Sequence, residues 1–202
     1  MCGRYYVEPE ATALEMMGIL AEIRRRYDQS PLLPLLTTGE IAPSQVAAVI
    51  ANSKNMNQRP FLMKWGYKGF KSKSHLIINA RSESVDSRSM FKDSLYNRRC
   101  LIPANKYYEW QNLGKNKQKY SLFPQEQTFF CMAGLYRFES DPSLPSFVIL
   151  TRDAPGAIKD IHHRMPVILP KSEWNNWLEP IYDPLKVIEQ AVLDIRFEKS
   201  AT

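Results

Sequence analysis

Short apolar runs rich in β-branched and aromatic residues recur along most of the chain. Such runs, separated by polar or proline- and glycine-containing segments, predict β-strands. Few of them alternate with helical patterns, so the chain favours a single α+β domain whose mostly antiparallel sheet curls toward a barrel. The predicted strands are residues 2–7, 46–51, 61–67, 75–78, 98–103, 107–111, 128–138, 147–151 and 164–169.

Helical periodicity is confined to a few segments. Residues 10–27 place apolar side chains on roughly one face, which predicts an amphipathic helix with a basic last turn. The side chains on that face are Leu14, Met17, Leu20, Ile23 and Tyr27. Shorter helices are predicted at 84–97, 171–178 and 184–191, one or two helical turns at 154–161, and a basic turn at 115–119.

Composition narrows the class of partner. The 202 residues, 44% hydrophobic and 24% charged, suit one globular domain over residues 1–202. The formal net charge of +6 favours an anionic partner such as nucleic acid. Because we find no signal peptide and no apolar run of membrane-spanning length, we expect a soluble cytoplasmic protein without membrane contact.

The cysteines are few and widely spaced. Cys2, Cys100 and Cys131 form no CxxC zinc pair, and their odd number argues against a disulfide framework. Cys100 and Cys131 fall in apolar strand-like runs, so we expect both in the core. Cys2 stands apart because it directly follows the first methionine.

Removal of Met1 would give Cys2 a free α-amine and a thiol on adjacent carbons. The amine can form a Schiff base with an aldehyde, and the thiol can then close a five-membered thiazolidine. An α-amine with a pKa of about 7.7–8.0 is partly unprotonated at neutral pH, and an ionised thiol is a strong nucleophile. Two alternatives stay open: Cys2 is a buried hydrophobe or a frayed end, or a retained Met1 blocks the amine.

Polar residues follow an apolar run at residues 79–83. The amide of Asn79 offers two donors and an acceptor, which suits an amine or a sugar oxygen. The guanidinium of Arg81 suits a phosphate. The alternative is a turn asparagine beside a surface arginine.

A glutamate lies among aromatic residues at 107–111. Strand alternation puts Tyr107, Glu109 and Gln111 on one face and Tyr108 and Trp110 on the other. Desolvation by these rings would raise the pKa of Glu109 and suit it to proton transfer near neutral pH. The alternative is an exposed strand glutamate beside core aromatics.

Two of the three histidines are adjacent, and we expect His162 and His163 to point apart. One of them can then face a site as a proton carrier. A metal site is a weaker alternative, because adjacent histidines rarely chelate one ion. His75 opens a strand and is expected to be structural.

Together these segments resemble the SOS response-associated peptidase (SRAP) family, and the likeness runs from residue 2 to about residue 180. It is carried, in chain order, by Cys2-Gly3-Arg4, Asn79-Ala80-Arg81-x-Glu83, Tyr108-Glu109-Trp110 and Ile161-His162-x-Arg164-Met165-Pro166. The resemblance implies the SRAP fold, a partner in single-stranded DNA that contains abasic sites, and a covalent thiazolidine link to the opened sugar. It implies neither a metal nor a cofactor, and we expect a monomer.

The resemblance also implies roles for single residues. Cys2 matches the crosslinking residue and Asn79 the amide that positions the terminal amine and the sugar. Glu109 matches the glutamate that transfers protons, and His162 matches the histidine that hydrogen-bonds the opened sugar. Arg4, Arg81 and Arg164 match positions expected to hold phosphates, Pro43 and Trp110 can stack on bases, and Trp65 resembles another DNA-facing aromatic.

The sequence departs from the usual family pattern in two places, both in segments that the resemblance would place near the DNA groove. Tyr67-Lys68-Gly69-Phe70 follows Trp65-Gly66, and Arg152 follows Thr151. Three alternative functions also remain. They are a cysteine peptidase with Cys2 as nucleophile and His162 as base, an abasic-site lyase acting through a Schiff base, and a plain nucleic-acid-binding module in which Cys2 is inert.

Overall fold

A computed structural model describes residues 2–10, 13–69, 76–125, 127–139 and 144–200. The strands are β1 (Arg4–Val7), β2 (Gly39–Ile41), β3 (Val46–Asn52), β4 (Gln58–Trp65), β5 (Tyr67–Lys68), β6 (Leu76–Ile77), β7 (Asn79–Arg81), β8 (Arg99–Ala104), β9 (Lys106–Leu113), β10 (Asn116–Pro124), β11 (Phe130–Arg137), β12 (Ser146–Asp153), β13 (Arg164–Pro166), β14 (Ile168–Leu169) and β15 (Ile195–Lys199). The α-helices are α1 (Leu14–Arg26), α2 (Ser89–Asn97), α3 (Ile158–Ile161), α4 (Trp174–Leu178) and α5 (Pro184–Glu189). Short 3-10 helices lie at Leu33–Leu35, Ser82–Ser84 and Lys171–Glu173.

The larger sheet closes on itself. Its strands follow the order β12-β4-β3-β8-β11, and β11 pairs again with β12 to complete a barrel. The pairings of β12 with β4 and with β7 are parallel, and the other pairings in this sheet are antiparallel. The predicted α+β class and the curled, mostly antiparallel sheet are therefore confirmed.

The smaller sheet, in the order β15-β10-β9-β1-β2, is antiparallel throughout and places the start of the chain between β9 and β2. A buried aromatic contact joins it to the barrel. Tyr5 of β1 packs on Trp65 of β4 with ring centroids 5.2 Å apart, and Trp65 stacks on Phe147 of β12 at 6.2 Å. Residues of both sheets belong to one hydrophobic core, and buried aromatic contacts of this kind stabilise it.

Helix α1 covers the barrel, but the face it buries differs from the predicted one. Met16, Leu20 and Ile23 are buried, whereas Leu14 is 79% exposed and Met17 is 49% exposed. The helix begins at Leu14, and residues 11–12 of the predicted segment lie outside the described residues. None of the helices in the described part of the chain has the length and apolar content needed to cross a bilayer.

Several predicted boundaries were wrong. The predicted basic turn at 115–119 belongs mostly to β10, since the reversal occurs earlier, at Gly114, whose φ is +70°. The sequence pattern also missed β15, which carries polar residues and pairs only with the edge of β10. Predicted helix 84–97 begins later, at Ser89, after a short 3-10 turn.

The barrel's packing yields a matched pair of glycine substitutions. A Cβ at Gly134 of β11 would overlap Cδ1 of Ile102 and lie 2.8 Å from the carbonyl oxygen of Val148. We expect Gly134→Ala to lower the free energy of unfolding by about 1–3 kcal/mol through overpacking. Gly18 of α1 meets no described atom within 4 Å, so Gly18→Ala should raise it by about 0.5–1 kcal/mol. Urea unfolding measures both, and a neutral Gly134→Ala would contradict the packing described.

Candidate active site

Cys2 lies at the entrance to β1 and is fully buried. Its backbone carbonyl accepts a hydrogen bond from Nδ2 of Asn79 at 2.9 Å. The Oδ1 atom of Asn79 is buried and meets no hydrogen-bond donor among the described residues. The Nδ2 atom of Asn79 therefore holds the residue before β1, and its Oδ1 atom can still accept a hydrogen bond.

The position of Asn79 follows from the pairing of β7 with β12. Asn79 lies opposite Ile149, whose N–H donates to the carbonyl of Ile78 at 3.1 Å. The indole N–H of Trp65 donates to the same carbonyl at 2.9 Å. Two donors thus fix the residue that precedes Asn79.

Trp65 is a correction to the sequence prediction. We predicted a DNA-facing aromatic, but the ring is fully buried between Tyr5 and Phe147, and its N–H is used within the core. Because the indole is buried against two other rings and its N–H is hydrogen-bonded, it has no exposed surface on which a base could stack. Its role is to join the two sheets and to hold the turn before Asn79.

Glu109 is buried on the inner face of β9, together with Tyr107. The other face carries Tyr108 and Trp110, and the ammonium of Lys119 lies 4.1 Å and 5.6 Å from the centroids of these rings. The predicted alternation is therefore confirmed. Burial raises the pKa of Glu109 to about 7, so both protonation states are populated near neutral pH.

The strand register brings Glu109 to the start of the chain. Arg4 pairs with Tyr108, and the same register continued outward places Gly3 opposite Glu109. Burial, and then the charge of Glu109, raise the pKa of the Cys2 thiol. At neutral pH this thiol is protonated.

His162 follows α3, which packs against β9, where the Nε2 of Gln111 donates to the carbonyl of Asp160 at 3.1 Å. Burial lowers the pKa of His162 below its ordinary value, which favours the neutral ring. The prediction that the adjacent histidines point apart is wrong, because the rings of His162 and His163 stack with centroids 4.5 Å apart. No cluster of three metal-ligating side chains occurs within the part of the chain that the structure describes.

Electrostatic effects link the candidate catalytic groups. In Cys2, Glu109 and His162, burial has the largest effect on the pKa. The charge of Glu109 is the next influence on the pKa of the Cys2 thiol, which indicates that these two groups lie near each other.

The predicted DNA contacts fall into two groups. Arg81 is exposed at the end of β7, and Pro43 and Trp110 are half-buried. The Arg4 side chain is 39% exposed, and its Nε lies 3.7 Å from a carboxylate oxygen of Glu40. All of these side chains are at least partly accessible to solvent.

Arg164 behaves differently, and its predicted phosphate contact needs correction. Its side chain is only 5% exposed and forms ion pairs with Glu83 and Asp153. It also donates to the carbonyl of Thr151 at 2.6 Å. A guanidinium occupied by two carboxylates is neutralised, so it offers little to a phosphate.

Sequence reasoning missed two phenols beside the site. Tyr5 and Tyr107 are paired across β1 and β9, and both hydroxyls are buried with no hydrogen-bond partner among the described residues. Burial raises the pKa of both phenols, which are therefore neutral. The period-two pattern that turns Glu109 inward also turns Tyr107 inward, and this was the signal available in the sequence.

A family model described as SOS response associated peptidase (SRAP) matches residues 1–198. The abasic site processing protein YoaM of Bacillus subtilis is 34% identical over 89% of this chain and 80% of its own length. YedK of Escherichia coli, also named an abasic site processing protein, is 28% identical over 88% of this chain and 79% of its own length. A crystal structure of a phage-related protein from Bordetella bronchiseptica shares the fold, with a TM-score of 0.76, 22% identity and coverage of 100% of this chain and 95% of that one.

The raised pKa of Glu109 predicts a pH-dependent effect of Glu109→Gln. The carboxyl ionises near pH 4.5 when unfolded but near pH 7 when folded, so the folded wild-type protein binds the extra proton in this window. Wild-type stability should therefore fall relative to the variant as the pH rises from 4.5 through 7, by roughly 3 kcal/mol in total. Denaturant unfolding at several pH values measures this difference, and a difference that does not change with pH would contradict the buried-carboxyl assignment.

Proposed function

The chain belongs to the SOS response associated peptidase (SRAP) family, and from this premise we propose that it binds single-stranded DNA at abasic sites and links Cys2 covalently to the sugar. The link would be a thiazolidine ring, formed after Met1 is removed, and the bound protein would shield the lesion. The observation that carries the proposal is the hydrogen bond from Asn79 to the Cys2 carbonyl, with the buried Glu109 across the strand pair. The names of YoaM and YedK as abasic site processing proteins support it.

The first step opens the sugar. The hemiacetal of an abasic site becomes an aldehyde when the C1′–O4′ bond breaks, with a proton gained at O4′ and one lost from the C1′ hydroxyl. Glu109, with its pKa near 7, can take one proton and return it at neutral pH. His162, held neutral, can donate a hydrogen bond to the O4′ hydroxyl of the opened sugar.

The second step forms the Schiff base. The α-amine of Cys2 attacks C1′, and water leaves as the C=N bond forms. Asn79 holds the Cys2 carbonyl through Nδ2, so its buried Oδ1 remains to accept a hydrogen bond from the amine. This fixes the direction of attack.

The third step closes the ring. The thiol adds across the C=N bond, so that sulfur binds carbon and the thiol proton ends on nitrogen. This addition has no net proton requirement, which suits a thiol whose pKa is raised by burial. The same raised pKa disfavours a cysteine peptidase, which requires a thiolate nucleophile.

The DNA strand would approach over the exposed residues around this site. Arg81 and Arg4 can contact phosphates, which hold a strand without reading its sequence. Trp110 and Pro43 offer apolar surface to the flanking bases, and each stacked base contributes about 1–3 kcal/mol.

Cys2→Ala should abolish the covalent adduct with single-stranded DNA that carries an abasic site. Denaturing gels and mass spectrometry detect the adduct, whose mass equals the two components less one water, and also report whether Met1 is absent. Cys131→Ala is the matched control, because this buried cysteine lies in β11 and should leave crosslinking unchanged. A Cys2→Ala protein that crosslinks as well as the wild type would contradict the proposal.

Cys2→Ser separates crosslinking from lyase activity. The variant keeps the amine but loses the thiol, so its Schiff base should be captured only by borohydride reduction. Strand cleavage by β-elimination should then increase in the untreated reaction. If the wild type itself cleaves the strand and leaves no stable adduct, the lyase alternative replaces the proposal.

Arg81→Ala should weaken DNA binding and reduce the magnitude of its salt dependence. Loss of one phosphate contact on a single strand changes the slope of log K against log salt by about 0.7. Arg25→Ala is the matched control, since Arg25 is exposed on α1. Fluorescence anisotropy at several salt concentrations measures both, and an unchanged slope for Arg81→Ala would remove Arg81 from the DNA contacts.

A further inference from the structure

We propose that Glu83 and Asp153 are positioning residues that act through Arg164 to hold His162 with its ring proton on Nε2. The effect on crosslinking rests on the proposed function above. The effect on the histidine ring does not, so it can be tested without DNA.

The proposal starts from the clamp around the Arg164 side chain. One guanidinium nitrogen donates to Oε1 of Glu83 and the other to Oε2, both at 2.8 Å, which is bidentate pairing. Asp153 accepts from the first nitrogen at 2.5 Å, and the Thr151 carbonyl accepts from the second at 2.6 Å. Such a side chain has little freedom to rotate. Arg164 is therefore held by its side chain as well as by the backbone pairing of β13.

The backbone of Arg164 carries this constraint to His162. The N–H of Arg164 donates to Nδ1 of His162 at 3.0 Å. The carbonyl oxygen of Arg164 also lies 3.2 Å from Nδ1, so in the same geometry a proton on Nδ1 could donate to it. We assign the shorter contact, in which Nδ1 accepts from the N–H of Arg164, and a neutral ring then carries its proton on Nε2.

The clamp also links the two halves of the site. Glu83 lies in the 3-10 turn Ser82–Ser84, which directly follows β7 and its Asn79 and Arg81. Asp153 ends β12 and pairs with Arg164 in β13. The ion pair between Arg164 and Glu83 therefore limits how far β7, which contacts Cys2 through Asn79, can move from the segment that carries His162.

Other charged groups around the ring do not replace this control. His163 stacks on His162, and the charges of His163 and Arg164 act on the ring. Positive neighbours lower the pKa of the ring, but they do not choose between its two nitrogens. The donor at Nδ1 makes that choice.

The test uses histidine labelled with nitrogen-15 in the full chain, because protonated and unprotonated ring nitrogens give well-separated NMR signals. His75→Gln and His163→Gln variants assign the signals. The wild type should show Nδ1 of His162 unprotonated and Nε2 protonated. In Glu83→Gln the two forms should mix, and in Asp153→Asn they should mix less, since that variant changes one bond at a side chain that is 83% exposed.

Glu139→Gln is the matched control. It breaks a comparable ion pair, 2.9 Å long, between Glu139 and Arg137 at the end of β11. The side chains of Arg137 and Glu139 are 16% and 11% exposed. Glu139→Gln should lower stability without changing the His162 signals. If Glu83→Gln does not fold, the Asp153→Asn spectra decide the question.

Crosslinking to abasic single-stranded DNA gives the functional readout. We expect about a tenfold slower rate for Glu83→Gln with binding nearly unchanged, because part of the His162 population would lack the Nε2 proton that the sugar needs. A wild-type ring protonated on Nδ1 would overturn the proposal, as would variants that keep the wild-type signals whatever their rates. A wild type that forms no adduct would overturn the proposed function alone, because the spectra would still decide the role of the clamp.

Discussion

The hydrogen bond between Asn79 and the Cys2 carbonyl is the contact on which the rest of the site depends. It connects the residue that precedes the first strand of the smaller sheet, Cys2, to β7, which pairs with β12 of the barrel. The aromatic contact from Tyr5 through Trp65 to Phe147 stabilises this arrangement, since the Trp65 indole also donates to the carbonyl of Ile78, the residue before Asn79. Packing and chemistry therefore share one set of residues.

Desolvation gives the site its chemical character. The thiol of Cys2, the carboxyl of Glu109 and the ring of His162 all shift toward their uncharged forms because of burial. A group of neutral donors and acceptors suits a reaction in which an amine, a carbonyl and a thiol exchange protons without a lasting charge. The compensated charges lie further out, in the cluster of Arg164 with Glu83 and Asp153.

Much of this could be read from the sequence, and the failures have physical causes. The period of two along β9 put Glu109 on the face opposite Tyr108 and Trp110, although it could not tell which face is buried, and the short motifs marked Cys2, Asn79 and His162 as candidates. Trp65 and Arg164 were misjudged because a lone tryptophan or arginine does not reveal its partners, which come from strands far along the chain. The buried face of α1 was shifted because the barrel beneath it, rather than the helix's own periodicity, decides which side is covered. The polar strand β15 gave no hydrophobic signal to detect.

The sharing of β12 among its neighbours has a consequence for local motion. This strand pairs with β4 and β11 to close the barrel, with β7 beside Asn79 and with β13 after His162. The strands that carry Asn79 and follow His162 therefore depend on a strand that is itself held on both sides by the barrel, which couples the local order of β7 and β13 to that of the barrel. Amide protons along β12 should accordingly be among the slowest in the domain to exchange with solvent.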